Sequence, residues 1–167
     1  MKKITIIRHG KSSWNDSCIS DEERPLQKKG IVKTDFIAGY LSDSCMIPDI
    51  IFSSPAIRAY ETAKIVQQKL KIRDEYFYIK DYLYPGEHME IAHQLSQTDN
   101  SINCMMIFGH NPTFTELSNF FLKKEQIEWI PTSGLVHLQF NVNFWSEIME
   151  TKADLLDYTT PQSINEQ

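Results

Sequence analysis

The stretch "IIRHGKSSWND", residues 6–16, decides the interpretation of this sequence. It joins the end of a short β-branched run, residues 3–7, directly to an arginine, a histidine and a glycine. A run of this kind predicts a strand that is buried on both faces, as in a parallel sheet. A single histidine after such a strand is more often a capping or packing residue than a functional one. Its meaning therefore depends on the rest of the chain.

Strand and helix patterns alternate along most of the sequence. The predicted strands cover residues 3–7, 48–54, 105–108 and the run "SGLVHLQFNV", with a shorter one in "EYFYIKDYLYPG" and an edge strand over 146–152. Helical spacing follows the first three strands, and Ser54 is the predicted N-cap of the second helix. This alternation predicts an α/β fold, a three-layer α/β/α sandwich with a mostly parallel central sheet. We expect one domain over residues 1–158 and a frayed tail over 159–167.

Composition limits the class of protein. The chain has 167 residues, of which 41% are hydrophobic and 23% charged, as in ordinary globular domains. Its net charge of -5 argues against a nucleic-acid-binding protein, which needs a basic surface. No apolar run approaches the ~20 residues that span a bilayer. Three widely spaced cysteines suggest neither disulfides nor a zinc site, so we expect a cytoplasmic protein.

Three predicted strands end in "RHG", "SSPAIR" and "GHNP". Ligands of open α/β sheets bind outside the carboxyl ends of the strands. If the three strands are parallel neighbours, their end residues Arg8, His9, Arg58 and His110 lie along one crevice. Two arginines can hold a phosphoryl group through bidentate contacts, and a neutral imidazole can attack phosphorus. A protonated His110 would neutralise charge on the same oxygens. Gly10 would let the backbone approach the substrate closely.

These motifs resemble those of the histidine phosphatases, the phosphoglycerate mutase-like superfamily. The matching blocks are "RHGKSSWN" (8–15), "SSPAIRAYETA" (53–63), "GHNPT" (109–113) and the Pro-Leu-x-x-x-Gly element within "DEERPLQKKG" (21–30). The resemblance implies that His9 is the phosphoacceptor and that Arg8, Arg58 and His110 complete the phosphate pocket. It also implies phosphate contacts from Ser12 and Asn15. It implies no metal and no cofactor.

The short chain and the "DxERPL" block look most like the SixA-type phosphohistidine phosphatases. Many ester phosphatases of the superfamily carry an acidic residue in the central region, where "YLYPGEH" here has Pro85. Glu87 is the nearest replacement. A positioned acid contributes about 10²–10⁴-fold to the departure of an alkoxide, whereas an imidazole leaves phosphorus with less help. The missing acid favours a phosphohistidine substrate.

Two alternatives remain at the level of sequence. The first is a broad phosphomonoesterase that acts on small metabolites with Glu87 as general acid. The second is a phospho-ligand binding protein without catalysis. The expected partner is a phosphorylated protein or a small phosphorylated substrate, and the sequence does not indicate the oligomeric state.

Overall fold

The computed structural model describes residues 1–13 and 18–164, and six strands in these ranges form one sheet. The strands are β1 (Lys2–Arg8), β2 (Ile50–Ser53), β3 (Phe77–Ile79), β4 (Cys104–Gly109), β5 (Leu135–Phe140) and β6 (Asp154–Thr159). Their order across the sheet is β3-β2-β4-β1-β5-β6. The first four strands along the chain pair in parallel, and β5 and β6 are antiparallel. The prediction of a mostly parallel sheet is confirmed.

Five helices in the described ranges connect or flank these strands. They are α1 (Lys28–Asp43), α2 (Ile57–Leu70), α3 (His88–Leu95), α4 (Thr113–Phe121) and α5 (Pro161–Ile164). The longest, α1, has 16 residues. Within residues 1–13 and 18–164, no helix is both long enough and apolar enough to cross a membrane.

Alternating side chains of the central strands divide the core between the two faces of the sheet. Ile4 and Ile6 of β1 pack in one cluster with apolar side chains of α3 and α4. Ile7, together with Met106 and Phe108 of β4, packs in a second cluster with side chains of α1 and α2. Both clusters are almost fully buried, so the central strands are apolar on both faces. This arrangement confirms the predicted three-layer α/β/α sandwich.

The register of the parallel strands places three of their carboxyl ends side by side. Arg8 at the end of β1 lies opposite Gly109 at the end of β4. Ser53 at the end of β2 lies opposite Phe108. The backbone N–H of His9 donates to the carbonyl oxygen of Gly109 at 3.0 Å, which continues this alignment one residue past β1. The residues that follow these strands therefore emerge at one edge of the sheet.

Several elements differ from the sequence prediction. Residues 146–152 are not an edge strand: Trp145–Met149 form a 3₁₀ turn whose Trp145 and Ile148 are buried. The strand at this edge of the sheet is β6 instead, and it alternates exposed and less exposed side chains. The N-cap of α2 is Ala56 rather than Ser54. The boundary at residue 158 stays a prediction, although Thr159 still belongs to β6 and α5 packs against α1.

Candidate active site

A cavity of about 510 Å³ opens where β1, β2 and β4 end. Its lining residues carry cations, imidazoles, a carboxylate and hydroxyls: Arg8, His9, Lys11, Ser12, Asp21, Arg24, Arg58, His110, Asn111 and Thr132. The four residues that were predicted to share a crevice all lie here. The ring centroids of His9 and His110 are 5.0 Å apart. The structure thus brings together groups that are about a hundred residues apart along the chain.

The ring of His9 is held in one tautomer. Its Nδ1 lies 2.7 Å from the carbonyl oxygen of Gly10. Because a carbonyl oxygen only accepts, Nδ1 must carry the hydrogen and Nε2 must carry the lone pair. Burial, together with the smaller effect of the positive charges of Arg58, Arg8 and Arg24, lowers the pKa of His9 to about 4. His9 is therefore neutral near pH 7, with an unprotonated nitrogen available for attack.

Arg58 lies against this nitrogen. Its Nε is 3.4 Å from His9 Nε2, and its two terminal nitrogens bond to Asp21, through the backbone oxygen and, at 2.8 Å, through Oδ2. The side chain is 6% exposed, so its orientation is fixed by these contacts. The Nε edge of the guanidinium faces the reactive nitrogen and can contact an anion bound there.

Arg8 is held by the residues that precede β5. Its Nη1 donates to the carbonyl oxygen of Ile130 at 2.8 Å, and the guanidinium carbon lies 5.1 Å from the ring centroid of Trp129. Its Nε is buried and has no hydrogen-bond partner among the described residues. A buried donor of this kind in a cavity can bond to an acceptor on a ligand.

His110 is paired on one side only. Its Nε2 lies 2.8 Å from Ser54 Oγ, while its Nδ1 is buried and has no partner in the described part of the chain. Burial lowers the pKa of His110 well below its usual range, and the positive charge of Arg58 adds to the effect. The sequence argument used a protonated His110. This imidazole is neutral, because burial and the neighbouring cations oppose a further positive charge.

The other predicted phosphate-contacting residues, Ser12, Asn15 and Gly10, differ in their positions relative to the cavity. Ser12 lines the cavity, and its Oγ accepts a hydrogen bond from Arg24 Nη2 at 2.7 Å. Asn15 lies outside the described residues. Gly10 does not line the cavity. A Cβ added there would lie 2.9 Å from Thr34 Oγ1 and 3.0 Å from Leu26 Cδ2, so this glycine permits internal packing rather than the approach of a substrate.

Glu87 does not reach the cavity. It is exposed at the N-cap of α3 and is not among the residues that line the pocket. Tyr84, which precedes Pro85 in the sequence, does contact the site. Its ring centroid lies 5.1 Å from that of His110, and its hydroxyl donates to Asp21 Oδ2 at 2.8 Å. Across residues 1–13 and 18–164, no group of three or more His, Cys, Asp and Glu side chains is placed to hold a metal ion.

Sequence reasoning missed Asp21 and left Arg24 undecided. Asp21 bridges two arginines: Oδ1 accepts from Arg24 Nη1 at 2.5 Å, and Oδ2 accepts from Arg58 Nη2. Both residues lie in the "DEERPLQKKG" block, which was recognised for its Pro-Leu-x-x-x-Gly pattern alone. The glycine of that pattern has a structural role. A Cβ on Gly30 would lie 2.3 Å from the carbonyl oxygen of Lys11, so only glycine lets α1 pack against the loop that follows β1.

Comparisons with known proteins agree with this arrangement. Residues 4–76 match the model of the Histidine phosphatase superfamily (branch 1). An uncharacterized chloroplastic protein of Arabidopsis thaliana is 29% identical over 159 residues, which cover 87% of this chain and 70% of that protein. The fold is similar to that of the protein histidine phosphatase SixA complexed with tungstate, with a TM-score of 0.84, 18% identity and coverage of 97% of this chain and 99% of the other.

A mycobacterial glucosyl-3-phosphoglycerate phosphatase has the same fold, with a TM-score of 0.67, 13% identity and coverage of 96% of this chain and 99% of the other. The fold is thus shared by enzymes with different named substrates, and likeness of fold does not choose between them. The comparisons and the cavity at the strand ends agree: residues 4–76 are similar to the histidine phosphatase superfamily, and the whole fold is similar to that of SixA.

Proposed function

We propose that the protein removes phosphate from phosphohistidine on a protein, with His9 as the nucleophile. The observation that carries this proposal is the hydrogen bond from His9 Nδ1 to the carbonyl oxygen of Gly10. It directs the lone pair of Nε2 into a cavity that three arginines line. Attack by Nε2 forms a phosphohistidine intermediate on the enzyme, and water then releases inorganic phosphate.

The proposed phosphate ligands are Arg8, Arg58 and His110. Transferring phosphoryl groups carry negative charge on their equatorial oxygens, and catalysis consists largely of positioning the group and stabilising this charge. The orphaned Arg8 Nε and His110 Nδ1 would gain acceptors from a bound phosphate, and Arg58 Nε already points at the reactive nitrogen. A bound dianion would also favour protonation of His110, because it introduces the negative charge that the empty cavity lacks.

The preference for a phosphorus–nitrogen bond rests on the carboxylates around the cavity. Asp21 is held ionised by its hydrogen bonds, and Glu87 lies outside the cavity. A protonated acid that could assist an alkoxide leaving group is therefore not supplied by either residue. An imidazole can leave as a neutral molecule without such an acid. We place this reaction in the cytoplasm, in accordance with the cysteine content of the sequence.

A phosphomonoesterase that acts on small metabolites is the alternative within the same superfamily. A solved structure with this fold has a phosphoglycerate ester in its name, but it shares only 13% of its sequence with this chain. The alternative requires Glu87 to act as the acid. The exposed position of Glu87 at the start of α3 does not favour it.

Trapping of the intermediate tests the proposal. The enzyme is mixed with a phosphohistidine protein carrying ³²P and quenched within one turnover, and the labelled residue is then identified. We expect a label that is stable in base and lost in acid, as for a phosphorus–nitrogen bond, and that is absent in His9→Ala. His93→Ala is the matched control, because His93 is exposed on α3. Label on a serine or cysteine, or label that persists in His9→Ala, would refute the proposal.

Comparison of substrates tests the preference. Rates on phosphohistidine and on sugar phosphates are measured with a chelator present, for the unaltered enzyme and for Glu87→Gln. We expect faster turnover of phosphohistidine and no effect of the chelator or of Glu87→Gln. Faster turnover of sugar phosphates, with a strong loss in Glu87→Gln, would establish the alternative instead.

A further inference from the structure

Asp21 combines an anionic group with a position in the catalytic cavity. Its carboxylate lies in the loop before α1 and lines the same cavity as His9. Oδ2 accepts hydrogen bonds from Arg58 Nη2 and from the Tyr84 hydroxyl, both at 2.8 Å, and Oδ1 accepts one from Arg24 Nη1 at 2.5 Å. A carboxylate has about four acceptor sites. Among the described residues one site, on Oδ1, therefore remains, and 46% of the side chain is exposed.

This carboxylate stays ionised. Partial desolvation acts to raise the pKa of Asp21, but the hydrogen bonds from Tyr84, Arg58 and Arg24 outweigh it and hold the pKa well below its usual range. A group of this kind cannot donate a proton to an alkoxide. It can, however, accept an N–H or stabilise a positive charge. Asp21 therefore has the wrong protonation state for ester hydrolysis and the right one to bind the N–H of a cationic phosphoimidazole ring.

We propose that Asp21 is a specificity residue that accepts the N–H of the imidazole leaving group and so selects phosphoimidazoles over phosphate esters. The inference rests on the proposed function, because it concerns the leaving group of the reaction that His9 initiates. Asp21 is the residue of this chain that recognises this leaving group.

The bonds and protons of the transfer balance without an acid. In the substrate one imidazole nitrogen is bound to phosphorus and the other carries a hydrogen, so the ring is cationic. His9 Nε2 forms its bond to phosphorus while the substrate's phosphorus–nitrogen bond breaks, and the electron pair returns to the substrate ring. The ring leaves as neutral imidazole and keeps its N–H. The positive charge now lies on the phosphorylated ring of His9, whose Nδ1–H remains bonded to Gly10.

The two imidazoles thus need equivalent support. Each ring carries a hydrogen on the nitrogen that faces away from phosphorus, and each hydrogen needs an acceptor. The carbonyl oxygen of Gly10 serves His9. The free acceptor site of Asp21 Oδ1 serves the substrate.

A purely structural role for Asp21 must be separated from this one. Asp21 contacts both terminal nitrogens of Arg58, so its loss could misplace that arginine and slow every reaction. Loss of Arg58 alignment would affect all phosphoryl groups equally, since each presents the same oxygens. Loss of a leaving-group contact would affect only substrates whose leaving group carries an N–H. The ratio between two substrates therefore distinguishes the two roles.

The experiment compares Asp21→Asn with the unaltered enzyme on phosphoimidazole and on p-nitrophenyl phosphate. The aryl phosphate has a leaving group that departs as a stable anion and donates no hydrogen bond. A hydrogen bond to a charged group contributes about 1.5–3 kcal/mol. We therefore expect kcat/KM on phosphoimidazole to fall roughly 10–100-fold relative to its change on the aryl phosphate. Glu22→Gln is the matched control, because Glu22 is an exposed acid in the same loop and does not line the cavity.

A pH profile supplies a second readout. Asp21 stabilises the protonated substrate ring, so the alkaline limb for phosphoimidazole should move to lower pH in Asp21→Asn. The charged and titratable groups that face Asp21 are Arg24, Arg58 and Tyr84, with the His110 ring next to Tyr84. The limb for the aryl phosphate should not move.

The outcomes are distinct. Equal losses on both substrates, or an unchanged ratio, would overturn the role of Asp21 while leaving His9 as the nucleophile. Turnover of the aryl phosphate without the phosphoimidazole would overturn the inference and the phosphohistidine preference together. Failure of the unaltered enzyme on both substrates would overturn the proposed function itself.

Discussion

Ser54 Oγ lies 2.8 Å from Nε2 of His110, and this contact determines what His110 can offer to an anion. The same hydroxyl oxygen accepts the backbone N–H of Ala56 at 3.2 Å, which leaves the hydroxyl hydrogen available for His110. If Ser54 donates to Nε2, the imidazole hydrogen lies on Nδ1. That nitrogen is the one without a partner, and it would become a donor to phosphate.

Ser54→Ala is expected to reduce kcat/KM for any phosphate substrate by about tenfold, which corresponds to one hydrogen bond of about 1.4 kcal/mol. The substitution removes the group that selects the His110 tautomer, so part of the population presents a lone pair to the anion. Ser53→Ala is the control. Ser53 is equally buried, and its hydroxyl donates to the backbone of Ser54 rather than to an imidazole. Equal activities of the two variants would contradict a role for Ser54 in orienting His110.

The titration of His9 gives a prediction that does not depend on turnover. Burial and nearby arginines lower the pKa of His9 to about 4, so its ring should stay neutral from pH 8 down to about pH 5. NMR spectra of ¹³C-labelled histidine, with the His9 signal assigned from the His9→Ala variant, follow this directly. A His9 midpoint between pH 6 and pH 7 in the empty enzyme would show that the site does not suppress protonation.

Trp129 is expected to position Arg8. The indole is 49% exposed, and the Arg8 guanidinium lies over its ring. A cation–π contact at an exposed site contributes about 0.5–1 kcal/mol, so Trp129→Ala should raise KM by about two- to fivefold. Phe144→Ala is the control, because Phe144 is a similarly exposed aromatic side chain, whereas Arg8 lies over the ring of Trp129. The same change in KM for both variants would indicate a general effect of removing surface aromatics.

The central part of the site was predictable because a general rule of α/β sheets governs it. His9, Arg58 and His110 each follow a buried strand, and buried parallel strands can be recognised from short apolar runs. Once the strand order is β2-β4-β1, these residues must meet at one edge. The sequence contained enough information to place them without any contact being known.

The loop residues were not predictable in the same way. Asp21 and Arg24 lie in a segment without helical or strand periodicity, so no pattern fixes the direction of their side chains. Their place in the cavity follows from contacts with Arg58 on α2 and with Tyr84, both distant in sequence. The surroundings of Gly10 were unpredictable for a related reason. A glycine beside a catalytic residue suggests an approaching ligand, but here the space is occupied by Thr34 and Leu26.

The stability of the fold should decrease as the pH falls from 7 to 5. Burial lowers the pKa of His9 to about 4 and also lowers that of His110, whereas both rings protonate near pH 6.5 in the unfolded chain. In this window the unfolded state therefore binds more protons than the folded state, and the free energy of unfolding falls by up to about 1.4 kcal/mol per pH unit for each histidine. The depressed pKa of Asp21 acts only below the window, near and under pH 4, where its protonation would remove further stability.

Urea unfolding at pH 7, 6 and 5 measures how the free energy of unfolding changes with pH. His9→Gln should reduce this slope by the contribution of close to one proton. Inorganic phosphate should raise stability and flatten the slope, because a bound dianion favours the protonated imidazoles. A stability that is constant between pH 7 and pH 5, with and without phosphate, would mean that these two rings are not held neutral by the fold.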